Sequence, residues 1–294
     1  MEAVQVIRPD LVLVDWGPMT LGISAWAQGR PRPVIAAQVA REALRCLAVL
    51  ADFQGYLRRR VRDLPLGRPL PLVVARATEA CRAVDNALTP LAAVAGAVAD
   101  QVADAAQALG ADKVVVNNGG DVAVRLAPGQ ELSVGVRPPG QAQETAPLLG
   151  RLSLSHAGGV GGVASSGWPG RSLSSGVAEL ATAWAPSAAL ADAAATSLGN
   201  ATRLECKAVQ SQPGDQVDCS CGLGRQLVTT AVGPLLPRQR SRALSGARQK
   251  AQGLHAAGLM AGCLVMVQGD ALLLDRGRHL AWQGPGRGGR LLAA

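Results

Sequence analysis

Aromatic side chains, histidine and lysine are all scarce in this chain. Its 294 residues include one tyrosine, one phenylalanine, five tryptophans and three histidines. A surface that binds nucleic acid by stacking needs aromatic side chains among its basic ones. The sequence therefore argues against nucleic-acid binding, although the net charge is +8. Lys113, Lys207 and Lys250 are the only lysines, and the arginine bias of the other basic residues fits an arginine-favouring coding background as well as a functional surface.

Long hydrophobic runs and a secretory leader are also lacking. No apolar stretch approaches the length of a membrane span, and the first residues lack a basic segment followed by an apolar one. We therefore expect a cytoplasmic protein that is not in a membrane and whose six cysteines are reduced thiols. Cys206, Cys219 and Cys221 lack the spacing of a structural zinc site, so their role stays open, as does the oligomeric state.

The distribution of apolar residues predicts an α+β fold. Alternating residues at 11–16 and 21–26 predict a β-hairpin around Gly17, and the apolar run at 72–75 predicts a strand. Helical spacing at 87–109 predicts a long helix. We expect one domain over residues 1–275, followed by a flexible Gly- and Arg-rich tail at 276–294.

A carboxylate and a hydroxyl lie four residues apart in an alanine-rich helix predicted from about residue 186 to residue 200. Residues at positions i and i+4 share a helix face, so Asp192 and Thr196 point the same way. Two hard oxygen ligands on one face form half of a magnesium site. The alternative is structural, with Asp192 near a helix N-terminus and Thr196 bonding to its own helix. Taken alone, this segment favours the structural alternative.

Two glycine-containing segments upstream change that interpretation. The first is Asn118-Gly119-Gly120-Asp121, which ends a valine-rich strand, and the second is Ala164-Ser165-Ser166-Gly167. With the Asp192 segment, they resemble in order and spacing the GGD, ATSG and ADxxxT motifs of the ApbE-type FAD:protein FMN transferases. The stretch 166–172 resembles the SGW-x-GRS pattern of an uncharacterised ApbE-like branch.

The resemblance implies antiparallel sheets with packed helices and an active-site cleft between two lobes. It also implies an enzyme that binds Mg²⁺ and FAD and transfers FMN to a hydroxyl of an acceptor protein. The family holds the metal with the residues that match Asp192 and Thr196 and with a carbonyl that matches Ala164. Asn118, Gly119, Gly120, Asp121, Ser165, Ser166 and Gly167 are then the expected cofactor-binding residues.

The chain departs from the transferases between the second and third motifs. Where the family has H-x-x-D-P, this chain has Arg171-Ser172-Leu173-Ser174-Ser175. Arg171 suits an anion because its guanidinium pairs bidentately with phosphate or carboxylate, so Arg171 and Ser172 join Asp192 and Thr196 as candidate catalytic residues. This departure also supports an alternative, a hydrolase of the same fold that acts on a small carboxylate or a cyclic amide or ester. A binding module without catalysis is a third hypothesis.

Overall fold

The chain forms two compact units. The computed structural model describes residues 3–137, 148–170, 173–219, 221–283 and 290–293. The first unit comprises Met1–Glu131, Ser155–Ala164 and Ala185–Asp192, and the second comprises Leu132–Leu154, Ser165–Trp184 and Ala193–Ala294. The expectation of one domain over residues 1–275 stays a prediction.

Strands and helices occur in runs along the described chain. The strands are β1 (Val4–Arg8), β2 (Leu11–Trp16), β3 (Met19–Ala27), β4 (Arg30–Pro31), β5 (Lys113–Asn118), β6 (Asp121–Leu126), β7 (Glu131–Val136), β8 (Gly150–Ser155), β9 (Gly162–Ser166), β10 (Leu180–Ala185), β11 (Val209–Pro213), β12 (Leu227–Val232), β13 (Gly262–Val267), β14 (Asp270–Asp275), β15 (Leu280–Trp282) and β16 (Leu291–Ala293). The helices are α1 (Pro33–Asp52), α2 (Gln54–Leu57), α3 (Leu72–Val84), α4 (Val94–Ala108), α5 (Ala188–Asn200), α6 (Gly214–Val217) and α7 (Pro237–Ala256). In the described ranges, none of these helices is both long and apolar enough to cross a bilayer.

The first unit is built on an antiparallel sheet in the order β1-β2-β3-β5-β6-β9, with β4 paired to β3. The predicted hairpin is confirmed as β2 and β3, whose alternate side chains Val12, Val14, Leu21 and Ile23 are fully buried. This period of two buries one face of the sheet beneath helices α1 and α4.

The strand predicted at residues 72–75 is wrong, because this segment is the first turn of α3. A short apolar run has no period of its own, so the residues that follow it decide between strand and helix. Buried positions continue with helical spacing from Val74 to Ala77 and Cys81. Pro71 immediately precedes the helix, where its missing N–H costs no helical hydrogen bond.

The second unit contains separate sets of paired strands. Strands β10, β13 and β14 are antiparallel neighbours, and β16 lies parallel to β14. Strands β11 and β12 form an antiparallel pair, and β15, β8 and β7 form a three-stranded sheet. Mainly antiparallel sheets combined with helices confirm the α+β class. The sequence predicted a flexible tail at 276–294, whereas Leu280–Trp282 and Leu291–Ala293 are strands that pair with β8 and β14.

A buried carboxylate on α4 fixes the start of α5. The side chain of Asp100 is 2% exposed and accepts hydrogen bonds from the backbone N–H groups of Ala188 (3.0 Å) and Ala189 (2.9 Å). It therefore caps the N-terminus of α5, where the first N–H groups have no partner within the helix. Arg125 on β6 neutralises the charge through an ion pair of 3.0 Å with Asp100 and one of 2.7 Å with Asp104. Burial by itself lowers the pKa of Arg125, but the two carboxylates raise it above its ordinary value.

Glycines allow the first turn of α5 to lie against its neighbours without a gap. A Cβ at Gly96 on α4 would collide with the carbonyl oxygen of Ala188. A Cβ at Gly162 on β9 would collide with the Ala188 backbone, and one at Gly161 with the carbonyl of Pro186. This close approach brings the carboxylates of the two helices within hydrogen-bonding reach of each other's backbone.

We expect Asp100→Ala to lower the free energy of unfolding by about 3 kcal/mol. The substitution removes the cap of α5 and leaves Arg125 without the buried one of its two acidic partners. Asp63→Ala is the matched control, because Asp63 pairs with Arg62 at 3.9 Å with both side chains more than half exposed, so its cost should be under about 1 kcal/mol. Urea denaturation measures both, and equal costs would contradict the capping role.

Candidate metal and ligand site

Asp192 lies on α5, one turn after the capped N-terminus. The helix begins at Ala188, and the N–H of Leu190 donates a hydrogen bond of 3.2 Å to the hydroxyl oxygen of Ser187. This start matches the prediction near residue 186. The Asp192 carboxylate does not cap its own helix. It accepts a hydrogen bond of 3.0 Å from the N–H of Gly96, in the first turn of α4.

The electrostatic surroundings of Asp192 oppose its charge. Burial raises the pKa of Asp192 well above its ordinary value, and the carboxylates of Asp121 and Asp100 raise it further, while the hydrogen bond from Gly96 lowers it. Asp192 as a whole residue is half-buried. A cation beside Asp192 would reverse the balance, because an opposite charge favours the ionised form.

The Gly119-Gly120 turn approaches the same end of α4. Asn118, the last residue of β5, donates a hydrogen bond from its amide to the carbonyl of Ala95 at 3.1 Å. Asn117 accepts a hydrogen bond of 2.9 Å from the N–H of Gly120 and so stabilises the turn. Asn117 is therefore a turn residue, and Asn118 links β5 to α4.

Both glycines of this turn need a left-handed backbone. Gly119 has φ of 65° and Gly120 has φ of 114°, values that side-chain-bearing residues rarely adopt. A Cβ at Gly120 would meet nothing within 4 Å. The backbone conformation therefore explains these glycines, and the turn is open to solvent in the first unit.

The remaining predicted residues are divided between the units. In the first unit, Ala164 is fully buried on β9. In the second unit, Ser165 shares a hydrogen bond of 2.8 Å with Thr182, and the hydroxyl oxygen of Ser166 is buried without a hydrogen-bond partner in the described residues. A Cβ at Gly167 would collide with the carbonyl of Glu179. Arg171 and Ser172 lie outside the described residues.

Thr196 is half-buried on α5, four residues after Asp192. Because α5 is continuous over both positions, residues 192 and 196 lie on one face of the helix. Their role in holding a metal stays a prediction.

A magnesium ion fits the donors at Asp192 better than a transition metal does. In the described part of the chain, no group of three or more His, Cys, Asp or Glu side chains is arranged to hold a metal ion. The six cysteines are free thiols, with Cys219 exposed and Cys206 and Cys221 half-buried. Mg²⁺ takes one or two carboxylates and keeps several waters, so a single carboxylate such as that of Asp192 is chemically sufficient for it.

Two residues that position Asp192 escaped the sequence analysis. They are Asp100, which caps α5, and Gly96, which supplies the N–H to Asp192. One signal was available, because Asp100 is flanked by small apolar residues in the alanine-rich helix α4, as Asp192 is in α5. An acidic residue that is buried among small apolar ones is almost always paired.

Comparisons with known proteins match segments of the chain to uncharacterised archaeal proteins. A UPF0280 protein of Methanopyrus kandleri is 42% identical over 113 residues, which are 38% of this chain and 43% of that protein. A UPF0280 protein of Methanothrix thermoacetophila is 39% identical over 142 residues, which are 47% of this chain and 55% of that protein. The chain thus spans about half the length of these curated relatives.

Solved structures of flavin transferases are also similar. The apo flavinyl transferase ApbE of Pseudomonas stutzeri is 15% identical, with a TM-score of 0.42 and coverage of 85% of this chain and 87% of that chain. The ApbE protein of Thermotoga maritima is 12% identical, with a TM-score of 0.44 and coverage of 88% and 95%.

The family assignment rests on a family model rather than on these structures. The model described as "AbpE bacteria" matches residues 5–273, which include every motif that carried the resemblance to an ApbE-like branch. That resemblance is confirmed, and the chain belongs to the AbpE bacteria family.

Proposed function

We propose that this chain is an ApbE-like transferase that cleaves the pyrophosphate of FAD and transfers FMN to a hydroxyl of an acceptor protein. The single observation that carries the proposal is the Asp192 carboxylate, which is held by Gly96 among other acidic side chains and has a raised pKa. Perturbed carboxylates of this kind cluster at functional sites. The family membership supports the choice of reaction, whereas no comparison supports the hydrolase alternative.

Asp192 and Thr196 would hold Mg²⁺ as two oxygen ligands on one face of α5, with the carbonyl of Ala164 as the third ligand that the family resemblance implies. When bound, Mg²⁺ neutralises charge that develops on transferring phosphates. The negative surroundings of Asp192 supply the attraction for such a cation, since burial and neighbouring carboxylates disfavour its charge in the absence of one.

The Gly119-Gly120 turn would bind the phosphates or ribose of FAD through its backbone. The turn lacks side chains, and the space above Gly120 is open, so a phosphate can approach the N–H groups closely. Asn118 fixes the turn to α4 through Ala95, and Asp121 would accept a hydrogen bond from a ligand hydroxyl. Ser165, Ser166 and Gly167 would contribute to cofactor binding, and the Ser166 hydroxyl has an unused hydrogen bond to offer.

In the transfer step, the acceptor hydroxyl oxygen forms a bond to the FMN phosphorus, the pyrophosphate bond breaks, and AMP leaves with the bridging oxygen. The hydroxyl proton passes to solvent or a base. Arg171 would pair with a phosphate oxygen, because its guanidinium offers two parallel donors. Ser172 would donate a hydrogen bond to the same group.

We expect Asp192→Asn to stabilise the protein without ligands, and to do so increasingly as pH rises. The folded-state pKa of Asp192 is raised above its ordinary value of 3.8, so the carboxyl contributes stability below that pH and loses it as pH rises through the folded pKa. Asparagine stays neutral and still accepts from Gly96. Melting temperatures from pH 4 to 8 test this expectation, with Asp10→Asn at an exposed carboxylate as control. A pH-independent difference would contradict it.

We also expect Mg²⁺ to raise the melting temperature of the wild type at pH 8 and to leave that of Asp192→Asn unchanged, because the variant lacks the charge that attracts the cation. The same titration on Asp10→Asn should give the wild-type response. An equal Mg²⁺ response in Asp192→Asn would remove the metal role from Asp192.

We expect wild-type protein with FAD and Mg²⁺ to attach flavin covalently to a protein in a lysate of the source cells, with equimolar AMP released. Asp192→Asn should lower the rate by about 100-fold, since the lost contribution is electrostatic stabilisation of the reacting phosphates. Thr196→Val should lower it as well, and Thr196→Ser should retain activity because it keeps the hydroxyl. In-gel flavin fluorescence and chromatography of AMP give the two readouts, and their absence in wild type would refute the transferase.

A further inference from the structure

A buried threonine beyond the end of α5 bonds to a loop that the proposed reaction does not use. Thr202 lies two residues after the last residue of α5 and is 0% exposed. Its hydroxyl donates a hydrogen bond of 2.6 Å to the carbonyl of Gly199 and accepts one of 2.9 Å from each of the N–H groups of Val177 and Ala178. A hydroxyl group offers one donor and two acceptor positions. The Thr202 hydroxyl therefore uses its whole hydrogen-bonding capacity.

Capping of α5 does not by itself explain these bonds. The last carbonyl groups of a helix lack partners within it, but the carbonyl of Gly199 already accepts a hydrogen bond of 3.2 Å from the backbone N–H of Thr202. The two bonds that the Thr202 side chain accepts come from Val177 and Ala178, which lie outside the helix. Both residues are buried, so their N–H groups need a protein partner. The side chain of Thr202 thus stabilises the loop rather than the helix.

The same end of α5 holds the start of this loop, residues 174–178. Asn200, the last residue of α5, accepts hydrogen bonds through Oδ1 from the N–H of Ser175 at 2.9 Å and from its hydroxyl at 3.1 Å. The hydroxyl of Ser174 donates to the same oxygen at 3.2 Å. A Cβ at Gly176 would collide with the backbone of α5, so the loop lies directly against the helix end. The loop is therefore held along its whole length.

The far end of the 174–178 loop is bonded to the second motif of the family resemblance. The carbonyl of Ala178 accepts a hydrogen bond of 3.0 Å from the N–H of Trp168. A Cβ at Gly167 would collide with the carbonyl of Glu179, so the two backbones are in direct contact. Gly167 and the preceding Ser166 are two of the expected cofactor-binding residues. The position of the loop therefore determines the position of these two residues.

A single residue joins Thr202 to this motif. Ala178 donates its N–H to the Thr202 hydroxyl and accepts from Trp168 through its carbonyl. Ser166 lies two residues before Trp168, and its hydroxyl has no hydrogen-bond partner among the described residues. No side-chain hydrogen bond in that part of the chain fixes the Ser166 hydroxyl, so its direction depends on where its backbone is held.

We propose that Thr202, together with Asn200, is a positioning residue for FAD binding. Through the 174–178 loop, Thr202 holds Ser166 and Gly167 in the orientation in which they bind the cofactor. This inference rests on the proposed function, and it gives Thr202 no contact with FAD and no part in the transfer step. Loss of the hydroxyl should raise the KM for FAD about tenfold and leave kcat within about twofold, because the contacts that are weakened bind ground state and transition state alike.

Three substitutions test the proposal on the full chain. Thr202→Val keeps the size of the side chain but removes the hydroxyl, and should weaken FAD binding about tenfold in isothermal titration calorimetry with Mg²⁺ present. Thr202→Ser restores the hydroxyl and should bind FAD within about twofold of the wild type. Asn200→Ala releases the start of the loop at a half-buried position and should weaken binding about threefold or more. Asn200→Ala carries the test if Thr202→Val does not fold.

Thr229→Val is the matched control. Thr229 is buried and bonds to the same loop, but through its backbone N–H, which donates to the carbonyl of Ser174 at 2.8 Å. Its hydroxyl has no partner in the part of the chain that the structure describes. Thr229→Val therefore removes a buried hydroxyl next to the loop without removing a bond to it, and should bind FAD as the wild type does.

Amide hydrogen exchange, followed by NMR on the protein without FAD, gives a readout that does not depend on flavin. Thr202→Val should raise the exchange rates at Ala178 and Trp168 about tenfold, because the path between them is released. Thr202→Ser and Thr229→Val should leave both rates unchanged. Unchanged exchange at Trp168 in Thr202→Val would show that the path does not reach the motif, and the proposal would be wrong.

The binding and kinetic results separate this inference from the proposed function. If the wild type binds FAD and transfers flavin while Thr202→Val or the folded Asn200→Ala binds FAD equally tightly, this inference fails and the proposed function stands. A fall in kcat with an unchanged KM for FAD, or a failure of Thr202→Ser to restore binding, also overturns the positioning role. A wild type that binds no FAD refutes both.

Discussion

Reciprocal hydrogen bonding between α4 and α5 is the interaction on which the first unit depends. Asp100 on α4 accepts from the N–H groups of Ala188 and Ala189, at the start of α5. Asp192 on α5 accepts in turn from Gly96, at the start of α4. Each helix thereby satisfies backbone donors that the other cannot satisfy internally. The arrangement requires glycine at position 96, because any Cβ there would separate the helices and lengthen all three hydrogen bonds.

The two carboxylates of this pair differ in how their charges are compensated. This difference distinguishes the structural role of Asp100 from the proposed functional role of Asp192. Asp100 is bonded to Arg125 on β6, so its charge is neutralised inside the protein. Asp192 accepts a hydrogen bond from the uncharged N–H of Gly96 and has acidic neighbours in Asp121 and Asp100. These neighbours destabilise its ionised form. The Asp100 carboxylate stabilises the fold, whereas the ionised form of Asp192 is electrostatically unfavourable and would be stabilised by a bound cation. Functional sites commonly carry such a cost, because selection for activity tolerates local destabilisation.

Features that depend on local sequence were predictable, and features that depend on distant contacts were not. The β2–β3 hairpin and the start of α5 follow from alternation, turn residues and a serine before the helix, all within a few positions. The hydrogen bond from Gly96 to Asp192 joins residues 96 positions apart, and no periodicity encodes it. The 72–75 segment was misassigned as a strand because four apolar residues fit either structure.

The scarcity of aromatic residues constrains how the proposed site recognises a flavin. The only phenylalanine and the only tyrosine, Phe53 and Tyr56, contact each other edge to face with ring centroids 6.4 Å apart, and both lie near the end of α1 rather than at the glycine turn. Stacking of an isoalloxazine ring on these two side chains therefore contributes nothing at Asp192. Backbone N–H groups, hydroxyls and a metal ion recognise phosphates, which every flavin nucleotide carries. In the proposed function, these groups would bind FAD at its pyrophosphate, the part of the molecule at which the proposed reaction occurs.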